Sequence, residues 1–152
     1  MTVSFEQEVL IAAPPEVVFD LSLDIDVHVE SQAAAGERAI GGVTTGRIGL
    51  GEQVTWRATH FAIPFTMASR VTELERPHRF VDEQVRGPFR HWRHEHVFVP
   101  VHGGTQMIDS VVFDAPLGPI GWMAERLVLE RYLAQLIADR ADHLRAVAED
   151  GG

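Results

Sequence analysis

The chain of 152 residues has no cysteine, no lysine, one tyrosine and no long apolar run. Without cysteine there is no disulfide framework, no thiolate metal ligand and no thiol nucleophile. No stretch approaches the ~18 unbroken apolar residues of a membrane span, so membrane insertion is not expected. The opening MTVSFEQEV lacks the basic region and apolar run of a secretory signal, which makes a soluble cytoplasmic protein the expectation. A net charge of −9 argues against nucleic acid as a partner, because phosphate binding depends on basic surfaces that release counterions. The arginines form no tract, and the missing lysine reads as a coding preference.

The length fits one domain over residues 1–152, large enough to bury a core. No repeat or linker divides it. Phe5–Ile11 alternates and is β-prone, and Ala12-Ala13-Pro14-Pro15 stops it and opens a short helix over Pro15–Leu21. A second short helix is expected over Ile25–Ser31, then a weak strand near Arg38–Gly42 among glycines. From Glu52 the pattern is strand after strand: Glu52–Phe61, Phe65–Leu74, Arg79–Val85, Arg90–Val99 and Thr105–Phe113. Turn signals at Ile63-Pro64, Arg76-Pro77, Gly87-Pro88 and Gly103-Gly104 separate them, and Pro116, Gly118 and Pro119 end the sheet. A long helix then runs from about Leu117–Ile120 to Glu149. Its apolar stripe is Met123, Leu127, Leu133, Leu136, Ile137, Ala141, Leu144 and Ala148, with Arg126, Glu130, Arg131, Asp139 and Arg140 mostly off it.

Short loops set the expected hairpin registers. Pairing His60 with Phe65 sets Trp56 opposite Ser69; the next hairpins set Val71 beside Phe80, Ser69 beside Asp82, Met67 beside Gln84, Phe80 near His94 and Asp82 near Trp92. The last hairpin sets Phe98 opposite Met107, His96 opposite Asp109 and His94 opposite Val111. One face then collects Trp56, Phe65, Met67, Val71, Phe80, Trp92, Phe98, Met107, Val111 and Phe113. The other collects Arg57, Arg70, Glu83, Arg93 and Glu95, as a solvated face should, together with Val81, Val97, Ile108 and Val112.

This sorting bears on RHWRHEHVFVP at residues 90–100, where His91, His94 and His96 crowd together. His94 and His96 point inward, roughly 7 Å apart by strand rise, and His91 points out. With Asp109 the pair could hold zinc, but a bare HxH is a common chance match, and the expectation is no metal and no cofactor. Histidines satisfied by hydrogen bonds in a core or pocket wall are the plainer reading; an acid–base pair of His96 and Asp109 lies between. Pairing would raise the imidazole pKa and lower that of the carboxyl. Asp82, Gln84, Ser69 and Asp109 share the apolar face, and carboxylates there are costly in a filled core. A cavity with apolar walls and a few polar groups is the expectation. Met67 and Met107 read as packing, Trp122 and Met123 as helix–sheet contacts, and His60 and His78 as exposed near turns. His28 and Glu30 stand at the edge of a pocket mouth or merely in a polar loop.

VLIAAPPEVVFDL at 9–21, VTELERPHRFVDEQVRGPF at 71–89, WRHEHVF at 92–98, GGTQMIDSVVFDAPLG at 103–118 and the closing helix together resemble the SRPBCC superfamily. This is the START-like, Bet v 1-like helix-grip fold, in its polyketide cyclase/dehydrase and ligand-binding branch. The resemblance spans nearly the whole chain. It implies an α+β fold in which a curved seven-stranded antiparallel sheet grips a long C-terminal helix, with two short helices after the first strand. Between sheet and helix it implies a cavity for apolar molecules, lined here by Trp56, Met67, Phe80, Gln84, Trp92, His94, His96, Phe98, Met107 and Asp109. The favoured function is non-enzymatic binding or transport of a small hydrophobic molecule. The alternatives are a cyclase, aromatase or dehydratase using His94, His96 and Asp109, and a protein-interaction module. A homodimer stays open beside a monomer.

Overall fold

The computed structural model describes residues 2–114 and 122–151. Strand β1 (Thr2–Ile11) leads into α1 (Pro15–Ser22) and α2 (Ile25–Ser31), then β2 (Arg38–Gly42), β3 (Gln53–His60), β4 (Ile63–Glu75), β5 (Arg79–Arg86), β6 (His91–Val101) and β7 (Gly104–Asp114). Helix α3 (Trp122–Gly151) closes the chain. The strands form one antiparallel sheet in the order β1-β7-β6-β5-β4-β3-β2, the expected helix-grip arrangement. The expected turn at Pro116, Gly118 and Pro119, and the side chains of Trp122, Met123 and Leu127, lie outside the described residues.

Local chemistry sets the helix ends. Pro15 occupies the first turn of α1, where its missing N–H costs nothing and its fixed φ suits the helix. Asp24 caps α2 by accepting from the Val27 N–H at 3.1 Å. Along α3, Leu133, Ile137, Ala141, Leu144 and Ala148 are buried at spacings of three and four, and this stripe faces the sheet. The helix packs on β1, α1 and α2. Gln7 and Gln32 tie it down by donating to the Ala134 and Leu136 carbonyls.

Three of the expected registers are off by two residues. In the first hairpin Trp56 pairs with Met67, not Ser69, because the chain turns tightly through Phe61 and Ala62, both at positive φ, and Ile63-Pro64 belongs to β4. In the second, Val71 pairs with Asp82 and Ser69 with Gln84, since pairing closes only at Glu75–Arg79 and the ladder shifts by one between Val71 and Glu73. In the third, Phe80 pairs with His96 and Asp82 with His94, because pairing ends at Glu83–Arg93 and leaves a wide loop. A slip of two keeps every side chain on its face, so the inward set survives. The last hairpin has the expected register, with His96 opposite Asp109 and Phe98 opposite Met107. Val81, fully buried on the outer face, sits between Glu73 and Glu95, which Arg79 bridges.

Two apolar cores form under the sheet. One holds Phe19, Leu23, Phe98, Met107, Ala141 and Leu144; the other holds Val3, Trp92, Val111, Phe113, Leu133 and Ile137. Between their members come His94 and His96 on β6, Asp109 on β7 and Arg140 on α3, all buried.

Candidate functional site

These four residues and Asp82 make one polar layer. His94 and His96 share a strand face, and their rings stack 3.7 Å apart at 22°. Phe80 continues the stack on His96 at 4.0 Å. His94 Nε2 lies 2.8 Å from Asp109 Oδ1, and His96 Nε2 lies 2.7 Å from Asp82 Oδ2. His96 Nδ1 is also 3.2 Å from Asp109 Oδ1, but without hydrogen-bond alignment. Arg140 donates through Nη2 to the Ser22 carbonyl at 3.3 Å, while its Nη1, 3.5 Å from Asp109 Oδ1, makes no hydrogen bond.

With both imidazoles neutral, two carboxylates and one guanidinium leave this layer one negative charge in excess. Burial opposes ionising Asp109, yet the imidazoles of His94 and His96 and the Arg140 charge outweigh it and hold the carboxyl well below its ordinary range. Burial likewise opposes ionising Asp82, and His96 overrides it. His94 goes the other way: burial and the neighbouring His96 push it below the usual imidazole range despite Asp109. His96 and Asp109 do face each other as expected, but the short bond of Asp109 goes to His94 and that of His96 goes to Asp82.

The layer forms one wall of a cavity of about 310 Å³ between α3 and the sheet. Trp56, Met67, Phe80, Trp92, His94 and His96 line it as expected, together with Asp82. Four expected wall residues stand back from it. Phe98, Met107 and Asp109 are completely buried behind the wall. Gln84 instead clamps the backbone of Phe89, donating to its carbonyl at 2.7 Å and accepting from its N–H at 3.2 Å. That clamp sets the loop that carries Pro88 and Phe89 to the cavity.

Other lining residues were missed. Arg140 falls within the buried stripe of α3 rather than off it, and its place three residues after Ile137 and four before Leu144 was the available signal. His60 is not exposed: its Nδ1 meets the Tyr132 hydroxyl at 2.7 Å, and burial lowers its pKa. His28, expected at a pocket mouth or in a polar loop, does line the cavity; it pairs with Glu37 at 2.6 Å and lies over Trp56 with ring centroids 4.4 Å apart. Glu30 instead faces His143. Only the fold could reveal these partners, since nothing in the spacing of residues 28, 37 and 56 marks them.

Asp82, His94 and His96 are the group with metal-ligand chemistry among the described residues, their donor atoms within 4.8 Å of one another. Stacked rings project their nitrogens side by side rather than toward one point, and each Nε2 already faces a carboxylate. This set fits hydrogen bonding better than tetrahedral coordination.

An antiparallel sheet gripping a long helix around an apolar cavity with a polar wall is the helix-grip fold. The chain belongs to the family described as polyketide cyclase / dehydrase and lipid transport, which matches residues 2–149. No curated protein matches it in sequence. Among solved structures, TTHA0849 from Thermus thermophilus superposes with a TM-score of 0.81 at 17% identity, covering 99% of each chain. The Zhui aromatase/cyclase of a Streptomyces species gives 0.69 at 20% identity, covering 100% of this chain and 99% of that one. The major latex-like protein 151 of Panax ginseng gives 0.66 at 11% identity, covering 97% of each. At these identities the likeness is one of fold.

Proposed function

We propose that the protein binds a small hydrophobic molecule in the cavity between sheet and α3. The observation that carries this reading is an apolar chamber of about 310 Å³ whose polar groups gather in defined places. That volume is at the lower end of small-molecule sites, suited to a compact ring system or a short acyl chain. Native mass spectrometry of freshly purified protein tests for a retained apolar ligand, and titration with an apolar fluorescent dye tests the cavity directly. Met67→Trp, which fills the chamber from β4, should abolish dye binding. Unchanged binding in that variant would place the dye site elsewhere and end this reading.

A second reading, cyclase or dehydratase chemistry, has one specific observation in its favour. Asp82 on the cavity wall is hydrogen-bonded to the buried His96, whose ring stacks on His94, so a carboxylate backed by an imidazole faces the chamber. A family whose description includes cyclases makes this chemistry the first to assay.

A further inference from the structure

The chamber is lopsided across the sheet. From β5, the central strand of the seven, it extends over β4 and β3, two strand spacings or about 10 Å. Val71 and Met67, then Trp56 and Ala58, line that stretch, whose walls are mainly apolar. On the other side it stops at β6, since among the described residues none of β7 or β1 lines it. The wall of Asp82, His94 and His96 is therefore one end of the chamber.

Within that end Asp82 has an oxygen to spare. Its side chain is 24% exposed against 3% for His96. Oδ2 lies 2.7 Å from His96 Nε2, and Oδ1 has no hydrogen-bond partner among the described residues. His96 keeps the carboxyl ionised against its burial, and an ionised carboxylate only accepts, so Nε2 is the donor. The other polar groups of the wall are directed into the layer. His94 Nε2 faces Asp109, and Arg140 lies between Asp109 and the Ser22 carbonyl. What this end offers an occupant is an acceptor. A hydrocarbon group seated there would leave a charged oxygen unpartnered, and an ether would set lone pair against lone pair.

We propose that the ligand carries an O–H or N–H donor at one end, bonded to Asp82 Oδ1, with an apolar body of about 10 Å lying over β4 and β3. The proposal rests on the cavity reading above and narrows its ligand class to apolar alcohols, phenols and amines. Glu37, the other carboxylate lining the chamber among the described residues, stands with His28 over Trp56 and serves as the internal comparison.

The test uses biphenyls with a single para substituent: methyl, methoxyl, hydroxyl or aminomethyl, the last protonated at neutral pH. Affinities come from displacement of a cavity dye. On wild type a donor-bearing compound should bind about tenfold tighter than the methyl compound, and the methoxyl compound no tighter. A larger gain for hydroxyl assigns the ligand to the alcohols and phenols, and a larger gain for aminomethyl assigns it to the amines. In Asp82→Asn the amide oxygen can replace Oδ2 toward His96, which leaves the amide N–H in place of Oδ1. The donor advantage should then fall below twofold. Four equal affinities on wild type, or a donor advantage that survives in Asp82→Asn, would overturn the proposal while leaving the cavity reading intact. Failure of all four to displace the dye would overturn both. Carbon NMR of wild type gives a second check should the variant not fold. The Asp82 carboxyl resonance should move with the preferred donor compound and not with the methyl one, and an unmoved resonance would overturn the assignment to this residue.

Discussion

His94 and His96 each bond the carboxylate that stands opposite the other. Asp109 pairs across the sheet with His96 but bonds His94, and Asp82 pairs with His94 but bonds His96. Diagonal reach of this kind is available to long side chains on one sheet face, and it forces the two rings to overlap.

The polar layer should make stability fall in acid in two stages. His94 has a lowered folded pKa, so its proton favours the unfolded chain. Stability from this residue is complete above the unfolded imidazole value of about 6.5 and declines as pH drops toward the folded value. Asp109 has a depressed pKa, so its contribution is intact above about pH 4 and is lost progressively below it. Urea unfolding from about pH 3 to 8 should show both limbs; His94→Phe should flatten the upper one and Asp109→Asn the lower. An unaltered profile in both variants would mean the layer is not the acid-sensitive element.

Phe98→Ala should destabilise the fold by about 3–5 kcal/mol, because Phe98 is packed edge-on against Phe19 in the first core. Phe98 stands behind the cavity wall, so the affinity of the folded variant for an apolar dye should change less than twofold. Denaturant titration and dye titration separate the two effects.

Gln84→Ala removes both hydrogen bonds to Phe89 and should cost about 1–3 kcal/mol. Amide exchange at Phe89 should speed up well before the sheet does. Equal protection in both proteins would show that the loop is held by something other than this side chain.

Protein purified without a histidine tag should carry no stoichiometric zinc, iron or nickel by elemental analysis. Metal near one equivalent, lost in the His94→Ala, His96→Ala double variant, would instead make Asp82, His94 and His96 a ligand set.

The fold was legible because strand alternation and the α3 stripe are repeated signals, each covering many residues. The last hairpin was placed correctly, with Gly103 at positive φ marking a turn that the sequence announces. The first was not, because Phe61 and Ala62 adopt positive φ with no glycine or asparagine to advertise it. The site was half legible for the same reason. Inward facing needs only parity, so Trp56, Met67 and His94 could be found. Which carboxylate meets which histidine depends on the β5–β6 register and on the diagonal reach of the side chains, and parity supplies neither. The His28–Glu37 pair depended on how a helix settles over β3, a long-range event with no local signature.

The charged layer between the two cores also acts as a key for the helix. Moving α3 by one turn, about 5.4 Å, would drive Arg140 into hydrocarbon and bring Ile137 or Leu144 against Asp109. Either displacement strands a buried charge, at a cost far above that of exchanging one aliphatic contact for another. An all-apolar interface would tolerate several neighbouring positions of the helix. This one admits a single axial setting, and so the chamber beneath the helix keeps one shape.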